Sequence, residues 1–147
     1  MARSIQAEEK LEEFLNKLAS LPGYNVRECR KKPQIYSIND KLVNIRCRGK
    51  SKEIAGGRGF WYSISFNVLQ TVDWVIYLTT TSDYFFMFPV SFLDGIKDRM
   101  YPDRSKVDVG IFDLDYDSEM MVLRQGKPES VSQYYNNLIH PVDYPIF

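Results

Sequence analysis

Leu11, Phe14, Leu15 and Leu18 share one face at 3.6-residue spacing while Glu and Lys fill the rest, which predicts a helix from a Ser4 cap to about Ser20, where "LPG" ends it. The period then changes to two. Strands are predicted over Tyr24 to Cys29, over Gln34 to Ile38 after the break "RKKP", and over Leu42 to Arg48, with Asn39-Asp40 as a two-residue hairpin turn between the last two. That turn sets Ser37 opposite Leu42. Alternation then puts Ser37, Asn44, Arg46 and Arg48 on one face and Val43, Ile45 and Cys47 on the other. The segment Gly49 to Gly59 carries four glycines with Lys50, Lys52 and Arg58, and reads as a loop.

Further along, "GFWYSISF" from Gly59 to Phe66 alternates as a strand, and "NVLQ" makes a short turn or helix. "VDWVIYL" is apolar on both faces, as a central strand must be. "YFFMF" is a strand that Pro89 stops, and Ser91 is expected to cap a helix through about Lys97. "VDVGIFDLDYD" predicts another strand and "SVSQYYNNLI" a short C-terminal helix. The order predicts an α+β fold: one mixed β-sheet flanked by helices, with Leu42 to Arg48, Gly59 to Phe66 and Val72 to Thr79 as core strands.

Composition narrows the class. At 147 residues the chain has the length of a single domain, with 1–98 as its core and 99–147 as a C-terminal extension, and 44% hydrophobic residues exclude disorder. Lys+Arg 19 against Asp+Glu 19 leaves no net charge, which argues against non-specific coating of nucleic acid and still permits a local basic patch. No apolar run reaches the roughly 18 residues of a membrane span. With no secretory signal in view, a cytoplasmic protein with Cys29 and Cys47 reduced is expected.

The quoted elements carry a resemblance. "AEEKLEEFL" (Ala7 to Leu15), "GYNV" (Gly23 to Val26), "IYSINDKLVNIRCR" (Ile35 to Arg48), "GFWYSIS" (Gly59 to Ser65), "VDWVIYL" (Val72 to Leu78) and "YFFMFPVSFL" (Tyr84 to Leu93) follow the order and aromatic patterning of the PD-(D/E)XK nuclease-like superfamily, in particular its small stand-alone prokaryotic members. The chain resembles that superfamily over about two thirds of its length. The resemblance implies a restriction-endonuclease-like core and an Mg²⁺ site built from an acid on the first hairpin strand, an acid-x-Lys on the second and a Glu on the first helix, because Mg²⁺ takes hard oxygen ligands. Those positions fall here on Ser37, on Arg46-Cys47-Arg48 and on Glu8, so every catalytic hairpin position is altered. Ser37, Arg46 and Arg48 offer no carboxylate, and neither a metal nor another cofactor is expected at that face.

The expectation that follows is a catalytically degenerate nuclease-like domain that binds nucleic acid, DNA ahead of RNA, through Arg46, Arg48, Lys50, Lys52 and Arg58, with Trp61 placed to stack a base. Three alternatives stay open. The basic stripe is a solvated face whose arginines pair with Glu8, Glu12 or Glu28; or the chain is an active Mg²⁺-dependent endonuclease whose acids have migrated, drawing on Glu8, Glu12, Glu28 and Asp40; or the aromatic tail with Tyr134, Tyr135, Tyr144 and Phe147 makes a homodimer or another protein contact. Other motifs drop out. "RGKSK" lacks the first Gly and following helix of a phosphate loop, "DLDYDSE" from Asp113 lacks the Gly and terminal Glu of a calcium loop, and His140, the single histidine, makes no zinc set.

Overall fold

A single turn explains the first hairpin. Asn39 and Asp40 both adopt positive φ, 52° and 69°, the left-handed pair that a two-residue turn requires and that Asn and Asp tolerate better than most side chains. It joins β2 (Gln34–Ile38) to β3 (Lys41–Arg48) with Ser37 opposite Leu42, the register expected from sequence. The computed structural model describes residues 5–31, 34–48, 52–54, 57–79 and 85–135. Helix α1 spans Ile5–Ser20 and is followed by β1 (Val26–Lys31), which pairs antiparallel with β2.

Beyond β3 the chain makes a short hairpin, β4 (Lys52–Ile54) and the start of β5 (Gly57–Ser65), where a loop is expected from the glycines. Helix α2 (Phe66–Leu69) then leads to β6 (Trp74–Thr79). All six residues of β6 are buried, and it lies parallel to β3 and antiparallel to β7 (Phe86–Pro89). The first sheet has the order β1-β2-β3-β6-β7. Helix α3 (Val90–Ile96) follows β7 directly; its N-cap is Pro89, so Ser91 lies inside the first turn and does not cap it.

The expected single sheet is two. A parallel pair such as β3 and β6 needs a crossover connection, and β5 is part of that crossover. It pairs instead with β9 (Val109–Asp115), Tyr62 opposite Phe112 and Ile64 opposite Gly110. The second sheet runs β11 (Glu129–Ser130), β10 (Met120–Val122), β9, β5, β4, with β8 (Tyr101–Pro102) on β9 as well. The α+β class stands, with mixed strand directions in the first sheet.

Two apolar cores result. On one face of the first sheet α1 contributes Leu11 and Leu18 against Tyr36, Ile38, Val43, Ile45, Trp74, Ile76 and Leu78. The opposite face, with Ile35, Val75, Tyr77, Phe86 and Phe88, packs on Tyr62, Ile64, Phe112 and Leu114 of the second sheet and on α2 and α3. Each fully buried side chain of this size contributes about 1.5–3 kcal/mol of transfer free energy. Among the described residues no helix is long and apolar enough to cross a membrane.

Candidate nucleic-acid interface

The apolar side of β3 decides where the basic side goes. Val43, Ile45 and Cys47 lie under α1, so Asn44 and Arg46 face the second sheet. Arg46 is half-buried, and its Nη2 donates to Ser63 Oγ at 3.2 Å. Ser63 lies on β5 beyond Gly59, where the pairing with β4 ends, so among the described residues that edge of β5 is open. Arg46 forms no ion pair among the described residues. A half-buried guanidinium whose partner is a neutral hydroxyl is unusual, because buried arginines are normally paired.

The remaining expected site residues divide. Ser37 is buried on the Arg46 side of the sheet, next to Leu42 in register. Arg48 closes the backbone pairing of β3 with Thr79, while Lys52 and Arg58 belong to the β4-β5 hairpin opposite Gly59 and Glu53; for these three the structure describes the backbone. Lys50 lies outside the described residues, as do His140, Tyr144 and Phe147. Trp61 is half-buried and shares the alternate face of β5 with Ser63 and Ser65, one strand step from the Arg46 contact.

Glu8, which the resemblance groups with Ser37 and Arg46, lies apart from them. It is exposed on α1, as is Glu12, and α1 packs on the opposite face of the sheet. Glu28 pairs in register with Tyr36 and so sits on the α1 side too, and Asp40 is exposed in the hairpin turn. Among the described residues no group of three or more His, Cys, Asp and Glu comes together as a metal site. Asp115 is buried at the end of β9, and its Oδ1 accepts the N–H groups of Asp117 and Ser118 at 2.9 and 3.2 Å, so the "DLDYDSE" motif forms a turn. Cys29 is an exposed free thiol on β1, and Cys47 is half-buried toward α1.

Sequence reasoning missed Arg30. Strict alternation along β1 puts Val26, Glu28 and Arg30 on the α1 side, but the register shifts between Glu28 and Arg30, so that Cys29 is the extra residue and Arg30 pairs with Ile35. Ile35 belongs to the inter-sheet core. The bulge therefore turns Arg30 to the side that carries Arg46. Both line an open pocket of about 250 Å³ together with Ser65, Asn67 and Thr71, with Ile35 and Val68 as its apolar surface. No sequence signal marks this bulge.

Behind Arg46 lies a buried group of tyrosines. Tyr62 Oη is 2.8 Å from the Leu78 carbonyl and 2.9 Å from Tyr116 Oη, and Tyr116 Oη is 3.2 Å from the Tyr77 carbonyl. Burial pushes all three phenols above their ordinary pKa, and for Tyr77 the Arg46 charge opposes that shift in part. Among the described residues the Tyr77 hydroxyl and Asn44 Oδ1, both buried, have no hydrogen-bond partner. A larger cavity, about 430 Å³, lies between Lys97 and Arg124 and mixes cations with Asp98, Asp103 and Asp108. There Lys97 already pairs with Asp94 at 2.9 Å.

Comparison of the chain with protein-family models, with curated proteins and with solved structures finds no match.

Proposed function

We propose that the protein binds nucleic acid along the end of β3 and the neighbouring edge of β5, as a nuclease-like domain that has exchanged metal ligands for cations. The observation that carries this reading is Arg46: half-buried, bonded to a neutral hydroxyl and separated by a whole sheet from the glutamates of α1. Phosphate oxygens supply the bidentate acceptors that a guanidinium fork is shaped for, and no carboxylate of the protein competes for it among the described residues. Trp61, half-buried on the Ser63 face of β5, supports this reading as an aromatic surface on which a base would stack beside a bound phosphate. The zero net charge of the chain makes binding depend on this local cluster, so affinity for long duplexes is modest and salt-sensitive.

Fluorescence anisotropy with single-stranded and duplex DNA and with RNA, at several salt concentrations, tests it. Replacing Arg46 and Arg48 together by Gln should weaken binding about equally for every sequence and flatten the logarithmic salt slope by roughly two, about one per lost phosphate contact. Absence of wild-type binding at low salt would end this reading in favour of a protein contact.

A further inference from the structure

The bulge at Cys29 and the cavity it serves point to a more specific ligand. We infer that the Arg30–Arg46 cavity is a receptor for a single phosphomonoester group, carried by the end of a nucleic-acid strand or by a free mononucleotide. Only the strand-end form rests on the nucleic-acid reading above.

Arg30 is the key residue, because regular pairing of β1 would set it on the other side of the sheet. One inserted residue between Glu28 and Arg30 brings its guanidinium to the side of Ile35 and Arg46. Bulges of this kind re-aim side chains beside functional sites. Placing a second cation next to a half-buried arginine costs Coulomb energy unless an anion joins them. No ion pair engages Arg30 or Arg46 among the described residues, and none of those lining the cavity is acidic.

Charge and donor count select the anion. Two guanidiniums match a phosphomonoester, which carries about −1.5 to −2 near neutral pH, better than a backbone diester with its single charge. Facing them are the Ser65 hydroxyl, which makes no cap hydrogen bond, and the exposed Asn67 side chain; Thr71 Oγ1 already donates to the Asn67 carbonyl at 3.0 Å. A monoester presents three terminal oxygens for such donors, and a diester two. The volume of about 250 Å³ equals roughly eight waters at their liquid share, enough for a phosphate with its sugar and below the 300 Å³ or more of most sites for larger ligands.

The test compares four probes on the full chain: a short DNA strand with a 5′-phosphate, the same strand with a 3′-phosphate, its hydroxyl-ended twin and a nucleoside monophosphate. At least one phosphorylated strand should bind about tenfold tighter than the twin, the scale of one charge-assisted hydrogen bond, and the preference should shrink below about pH 6 as the second phosphate proton returns. If the mononucleotide competes equally well, a free nucleotide is the ligand; if it does not, a strand end is. Arg30→Gln, on an exposed edge strand, should abolish the preference while leaving hydroxyl-ended binding within about twofold. Asn67→Asp, which adds a carboxylate to the cavity from an exposed helix position, should also abolish the preference and serves if the first variant folds poorly. Equal affinity for phosphorylated and hydroxyl ends together with no mononucleotide binding would overturn the inference. Hydroxyl-ended binding in that case would leave the broader reading standing, and mononucleotide binding alone would sink the broader reading and keep this one.

Discussion

Tyr62 and Tyr77 are neighbours in the core, ring centroids 4.6 Å apart, yet removal of their hydroxyls should act in opposite directions. Tyr62→Phe deletes an oxygen bonded to the Leu78 carbonyl and to Tyr116. It removes two hydrogen bonds, although Tyr116 keeps its bond to the Tyr77 carbonyl, and at about 0.5–1.5 kcal/mol net per bond the loss should be about 2 kcal/mol. Tyr77→Phe deletes a hydroxyl that has no partner among the described residues, while the ring keeps its packing on Phe88 and Phe112 at 5.8 and 5.3 Å. It should be neutral or stabilising by up to about 1 kcal/mol. The gap of about 2–3 kcal/mol corresponds to melting temperatures roughly 6–10 °C apart for a domain of this size. Urea denaturation of the two variants against the parent, with slopes compared to confirm that the unfolded state is unchanged, measures it. A Tyr77→Phe protein as destabilised as Tyr62→Phe would refute the reasoning, since the Tyr77 hydroxyl would then have to be bonded.

Three further outcomes are expected. A Cβ at Gly110 would stand 2.6 Å from Met100 Sδ and 3.1 Å from Met100 Cβ, so Gly110→Ala should cost about 1–3 kcal/mol by denaturation, and adding Met100→Ala should cost less than the sum of the two separate changes. Arg99 donates to Glu129 and to the carbonyls of Gln125 and Lys127, so Arg99→Lys, which cannot reproduce that fork, should speed hydrogen exchange across 124–129 more than it lowers global stability. The backbone N–H of Ser105, then its hydroxyl and the N–H of Lys106, hold the Asp103 carboxyl below its ordinary 3.8; its contribution is therefore present above that value and lost as pH falls through the lowered one, and a carbon-detected titration that finds Asp103 at or above 3.8 would contradict the capped loop.

Local chemistry was legible and long-range pairing was not. Asn39-Asp40 announced the hairpin and its register, and the apolar run of β6 announced a central strand. The alternation of β5 identified a strand and could not identify its sheet, because its partner β9 comes nearly fifty residues later, Tyr62 pairing with Phe112. The side taken by α1 was readable in principle: Val43, Ile45 and Cys47 form the apolar face that its leucine stripe needs, and that face excludes Glu8 from the arginines. Arg30 was hidden, since one inserted residue reverses the face of everything after it and "VRECRK" carries no glycine or proline to mark the insertion.

A polyanion bound at the end of β3 in the first sheet and the neighbouring edge of β5 in the second would lie against Arg46 and Ser63. Chemical-shift mapping with a short single-stranded DNA, following backbone amides together with the arginine Nε–H signals, tests this directly. The largest changes are expected at Arg46 Nε–H and at the amides of Ser63, Ser65 and Asn67, with the α1 amides unmoved. Changes confined to α1, or centred on the Lys97 to Arg124 cavity with Arg46 silent, would contradict that placement.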